Sequence, residues 1–206
     1  MTVEQFIENL SSVPDTETLE NPYKNPVKAR NLSIYLRYMV QAKPRYMLVG
    51  EAPGYRGCAL TGIPFTDEYR LSACGNTGCL PLLEPGYEIM TDPPTEEDSS
   101  TIIWRALVEK SFFPLLWNIV PFHPHRANNL RTNRTPNAQE LKAWSHFIRD
   151  LLELVPSIDP GAIFALGRKA EEMLLRELDI RAPYIRHPAR GGASKCTSAI
   201  YELADI

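Results

Sequence analysis

Three separated side chains carry the chemistry in this sequence: Glu51, Asn118 and His187. Residues 46–49 form an apolar run too short for a helix and suited to a buried parallel strand, with Gly50 and Glu51 directly after it. A second run, 115–120, carries Asn118 just before Pro121, and a short final strand over 182–186 leads into His187 and Pro188. Open α/β sheets bind ligands where such strands end. A carboxylate there can activate or position water. A carboxamide offers one acceptor and two donors, and an imidazole can donate to a developing negative charge. Gly50, Pro53, Gly54, Gly57 and Gly62 break regular structure on the way to Phe65 and let backbone come close to a ligand. A carboxylate, a glycine-rich loop and an aromatic ring therefore converge on one crevice. Each residue also has an ordinary structural role open to it. Asn118 can bond its own backbone, Phe65 can anchor the core, His187 can be structural, and Glu51 can cap the loop.

The elements that must hold these residues alternate between strand and helix. Apolar residues at helical spacing predict helices over 2–12 (Val3, Phe6, Ile7, Leu10) and 27–41 (Leu32, Tyr35, Leu36, Met39), joined by a polar connector over 14–26. Acidic residues before 101–112 signal another helix start. Thr135-Pro136 opens a long amphipathic helix over 137–155, residues 162–166 form a third strand, and Gly167 turns into a helix to about residue 178. This alternation predicts a three-layer α/β/α sandwich with a short, mostly parallel sheet. One domain spans 1–206, with a helical N-terminal part over 1–44 and an irregular insertion over 66–99.

Composition narrows the function classes. The 206 residues are 44% hydrophobic and 23% charged, with no apolar run long enough for a transmembrane helix and no secretory leader pattern at the N-terminus. A cytoplasmic, monomeric protein without membrane contact is expected. The net charge of −3 argues against a broad non-specific nucleic-acid binder, though not against a local basic face. Cys58, Cys74, Cys79 and Cys196 form no dense disulfide framework. Free thiols are expected, with a metal or redox role for Cys74 and Cys79 as the alternative. His123 and His125 have no nearby carboxylate or cysteine, so a surface or phosphate contact suits them better than a metal.

Gly50-Glu-Ala-Pro-Gly54 with Gly62-Ile-Pro-Phe65, then Leu116-Trp-Asn118, then Arg186-His187-Pro resembles, in order, the motifs of the uracil-DNA glycosylase superfamily, in particular its Gly-Glu-Ala-Pro-Gly branch. The resemblance covers about residues 45–196. It implies hydrolysis of the N-glycosidic bond of a deaminated base in DNA, without cofactor. Asn118 would read uracil N3–H and O4, Phe65 would stack on the extruded base, and His187 would donate to O2. Glu51 would position or activate water, and Gly50, Ala52, Pro53, Gly54 and Tyr55 would line the base through their backbone. DNA contact would fall to Arg126, Arg131 and Arg134 on one loop and Arg186, Arg190 and Lys195 on another, with Gly191-Gly192 offering amides to phosphate and Arg190 entering the gap left by the base.

The sequence also departs from that pattern. Ala52 stands where the best-known branch has an aspartate, and Gly54 where it has a tyrosine that blocks the thymine methyl. No Cys-x-x-Cys precedes the first motif, as it does in iron–sulfur members, and no motif carries a lysine for Schiff-base chemistry. Two other readings therefore stand beside the DNA enzyme: a binding protein that has lost turnover, and a hydrolase of free nucleosides or nucleotides.

Overall fold

The computed structural model describes residues 1–77 and 86–206, with side chains at all of these except 73–77. Helix α1 (Val3–Ser11) starts with a capping box in which the Thr2 hydroxyl accepts from Gln5 N–H and the Gln5 side chain accepts from Thr2 N–H. The connector expected to be irregular contains strand β1 (Leu19–Glu20) and a 3-10 turn at Pro22–Lys24. Asn25 then caps α2 (Pro26–Ala42), accepting from the N–H groups of Val27 and Lys28, and Lys43 closes the helix in the left-handed conformation ahead of Pro44.

Strand β2 (Met47–Gly50) is followed by the short α3 (Cys58–Thr61), α4 (Glu68–Thr77) and α5 (Asp98–Glu109). The segment 66–99, expected to be an irregular insertion, thus carries α4. Glu68 is buried at its start, and its carboxylate accepts from the N–H groups of Met90 and Thr91. Next come β3 (Leu115–Asn118) and β4 (His123–Pro124), which pairs antiparallel with β1. The helix expected over 137–155 is two: α6 (Ala138–Trp144) and α7 (Phe147–Leu154). The His146 ring nitrogen Nδ1 lies 2.9 Å from the Ala143 carbonyl, the acceptor that Phe147 N–H would need to continue the helix. Strand β5 (Ile163–Leu166), α8 (Arg168–Leu178), β6 (Tyr184–Ile185) and α9 (Ala193–Ala204) complete the chain. The sequence reading did not foresee α9.

The sheet order is β3-β2-β5-β6, all parallel, and β2 lies inside it with all four residues buried. Helix α5 packs on α9, while α1 packs on both α2 and α7, giving helical layers on either side of the sheet. Phe6 of α1 meets both Trp117 and Phe147, so the N-terminal helix closes the core over β3. Because β3 is an edge strand, its outward backbone groups need partners. Tyr35 of α2 supplies one: its hydroxyl accepts from Leu116 N–H at 2.7 Å. Tyr35 is fully buried, and Leu116 lies two residues before Asn118. Tyr35→Phe is expected to lower unfolding free energy by about 1–3 kcal/mol, the cost of a buried unpaired N–H, in chemical denaturation.

Candidate active site

The parallel register sets Gly50 of β2 opposite Asn118 of β3, and the pairing runs past the strands through Ile119 N–H to Gly50 O and Val120 N–H to Glu51 O. Asn118 is 3% exposed, yet its carboxamide makes no hydrogen bond to any described residue. It does not bond its own backbone. The carboxamide instead borders the cavity, where its donors and acceptor are open to a ligand.

Phe65 has φ 55°, a strained value for a bulky residue. Hydrogen bonds on both sides hold it there. The Thr61 hydroxyl donates to Thr66 O at 2.8 Å, Ile63 N–H donates to Thr61 Oγ1, and Trp104 Nε1–H donates to Thr66 Oγ1. A Cβ on Gly50 would lie 2.3 Å from Phe65 Cζ and 2.8 Å from Asn118 Oδ1. Ring edge and amide therefore meet over a glycine floor, and no other residue type leaves room for both.

His187 stands across the cavity on the loop after β6. Ala189 N–H donates to its Nδ1 at 3.2 Å, which leaves Nδ1 as acceptor and the proton on Nε2. Burial, and then the neighbouring Arg186, hold its pKa below the ordinary histidine value. The ring is thus a neutral Nε2–H donor near pH 7.

These residues border one cavity of about 810 Å³, a size that suits a small heterocycle with its sugar. Glu51, Ala52, Pro53, Gly54, Phe65 and Asn118 line one part of it, and Arg186, His187 and Arg190 another. Tyr55 does not line it. Its N–H is taken by Asn133 Oδ1 at 3.0 Å, so the expected backbone contact from Tyr55 to the base is corrected to a loop-holding bond. Asn133, which the sequence reading passed over, lines the cavity. His123 is fully buried, with Nδ1 2.8 Å from Pro53 O and Nε2 3.0 Å from Leu130 O, and His125 stacks on it. His123 thus braces the glycine loop from inside, and His125, buried against it with Nδ1 3.0 Å from Arg126 O, is likewise not a surface or phosphate contact.

The basic residues divide differently from the expectation. Arg134 is spent inside the protein. Its guanidinium pairs with Glu140 through both terminal nitrogens and also donates to the carbonyls of His125 and Thr18. Its assignment to DNA is corrected to a structural clamp, although it edges the cavity. Arg126, Arg131 and Lys195 are exposed but lie away from the cavity lining. Gly192 N–H donates to Ala189 O, and a Cβ there would lie 2.0 Å from His187 O, so this glycine serves loop packing and offers no amide to phosphate. Arg190 is exposed at the cavity with φ 53°. Two further cations, Arg168 and Lys169, line the cavity from the first turn of α8 and were missed because they sit in an amphipathic helix pattern. Glu97, also missed, fills the space beside Gly54: a Cβ on that glycine would lie 2.6 Å from Glu97 Oε1. Cys58 and Cys196 are buried free thiols, while the readings on Cys74 and Cys79 fall outside the described side chains.

A sequence model of the Uracil DNA glycosylase superfamily matches residues 38–201. The chain belongs to this superfamily. It is accordingly a DNA glycosylase-type hydrolase. The crystal structure of wild-type SMUG2 from Pedobacter heparinus is similar, with a TM-score of 0.66 at 20% sequence identity, covering 99% of this chain and 98% of that one. That likeness bears on the fold. No curated protein matches the chain.

For this glycosylase the two arginines should separate in experiment. Arg134→Ala is expected to cost about 1–3 kcal/mol of stability in thermal or denaturant unfolding, from lost charge-assisted bonds, with little change in the salt dependence of DNA binding. Arg190→Ala should leave stability within about 0.5 kcal/mol and weaken DNA binding with a shallower salt slope.

Proposed function

We propose that this glycosylase hydrolyses the N-glycosidic bond of uracil, or of a related deaminated base, in DNA, as the base-excision step of repair. The observation that carries the reading is the unpartnered Asn118 amide set beside the Phe65 ring over Gly50. Stacking on Phe65 offers a partner for the face of an extruded base. Asn118 Oδ1 accepts from uracil N3–H and Nδ2 donates to O4, a pattern that cytosine mismatches. As the glycosidic bond breaks, its electron pair passes to base N1 and negative charge gathers at O2. There His187 Nε2–H donates without first losing or gaining a proton. Water, positioned by Glu51, bonds to the sugar C1′ and gives up a proton. Glu51 supports this role by lining the cavity with no side-chain hydrogen bond among the described residues. The protein's partner in this reading is DNA carrying the deaminated base, met by a monomer in the cytoplasm. Arg168, Lys169, Arg186 and Arg190 give the cavity mouth a local positive edge despite the negative net charge.

The experiment is release of base from single-stranded and duplex oligonucleotides bearing one uracil, compared with free deoxyuridine. Wild type is expected to release uracil from DNA, with single-turnover rates falling about 10²–10³-fold in both Asn118→Ala and His187→Ala. Saturable DNA binding without release from uracil, hypoxanthine or xanthine substrates would replace the enzyme with a binding protein of the same fold. Preference for free deoxyuridine would replace it with a nucleoside hydrolase.

A further inference from the structure

Glu97 occupies the position before α5, where a carboxylate ordinarily caps the helix, but its side chain makes no capping bond. It turns instead into the cavity that holds Asn118, Phe65 and His187. Two glycines make way for it. A Cβ on Gly54 would lie 2.6 Å from Glu97 Oε1, and one on Gly57 would lie 2.2 Å from Oε2. The backbone is fixed by Glu97 N–H donating to Asp67 Oδ2 at 2.8 Å, while the carboxyl oxygens have no hydrogen-bond partner among the described residues. The protein thus forgoes a helix cap and keeps side chains off positions 54 and 57, to hold a bare carboxyl group against the first motif loop.

We propose that Glu97 is a further catalytic residue of the glycosylase, contacting the extruded base through its carboxyl group and acting in the protonated state. This rests on the base-excision reading above. The base departs as an anion, so an ionised carboxylate set against the base itself would oppose bond breaking, unlike Glu51 on the side of the water and sugar, whereas a neutral carboxyl donates a hydrogen bond to the growing charge. Glu97 itself ends the cycle unchanged. The glycosidic electron pair goes to the base, the water oxygen bonds C1′, and the proton released by water neutralises the departing base. The surroundings favour the neutral form. Burial first, and then Asp67 before α4, push the pKa of Glu97 up to about 7, with Asp98 on α5 adding to the rise and Arg56 on the glycine loop opposing it. The Cys58 thiol of α3, its own pKa raised by burial, contributes no charge near neutrality. His187 is not the source of a change above neutral pH, because its pKa is lowered and it is already uncharged there.

A group active when protonated, with its pKa raised to about 7, loses activity as pH rises through that value. The test is single-turnover uracil release from an oligonucleotide at about pH 6 and about pH 9, for wild type, Glu97→Gln and Glu97→Asp. Wild type is expected to slow by at least about tenfold between the two. Glu97→Gln, which keeps a donor that cannot ionise, should run at similar rates at both. Glu97→Asp should be slower throughout and keep the alkaline loss. Parallel profiles for wild type and Glu97→Gln, or a flat profile for Glu97→Asp, overturn the proposal while leaving the glycosylase reading intact. No release by wild type at either pH overturns both.

Discussion

The missing side chain at Gly50 is the constraint on which the site depends. Parallel pairing of β2 with β3 forces position 50 and Asn118 side by side, and the Phe65 loop folds back until its ring reaches the same spot. A methyl group there would overlap both neighbours. The consequences spread outward. Phe65 must take a left-handed backbone, which requires the Thr61, Thr66 and Trp104 hydrogen bonds, which in turn require α5 to pack where it does. Asn118 must stay unpaired and buried, which requires an edge strand that does not shift, and the Tyr35 hydroxyl bonded to Leu116 N–H restrains it.

The sequence revealed the parts of this arrangement that follow from short-range chemistry. Apolar runs bounded by Gly and Pro located the four parallel strands to within a few residues, because strands buried on both faces carry little alternation and end where the chain must turn. Asn118 and His187 were legible because they sit at or just past such an ending, and strand endings gather at one edge of a parallel sheet, while Phe65 was legible from the glycine- and proline-rich loop that leads to it. The motif order then added which side chains meet. The residues that line the cavity from helix starts were much less visible. Arg168 and Lys169 read as the solvated face of an amphipathic helix, and Glu97 read as a helix-start acid. Only the folded placement of the first turns of α5 and α8 brings them to the border of the cavity.

Arg134 shows the opposite error. A basic residue in an acid-free loop reads as free for phosphate, but its partners are distant in sequence or lie just past the loop: Thr18 in the N-terminal connector and Glu140 in α6. Loop composition says nothing about such contacts. The same holds for His123 and His125, whose ring partners are backbone carbonyls that no sequence pattern marks. The split between α6 and α7 was hidden for a related reason. Apolar periodicity runs through both, while the break comes from one histidine ring competing for a carbonyl.

The electrostatic layout has its own logic. In the proposed reaction, a chain with net charge −3 brings DNA to a cavity that contains two glutamates and then releases the base from that cavity as an anion. Cations at the mouth solve the first problem, because only local potential within about a Debye length steers a phosphate backbone. The second calls, in that reaction, for groups that carry no charge of their own. Neutral donors remain: an amide at Asn118, an imidazole kept uncharged by burial, and a carboxyl whose ionisation is opposed by burial and by Asp67. Such groups stabilise charge that appears only during reaction without holding the resting site in an unfavourable charged state, which places their benefit in the transition state and not in the binding of the intact base.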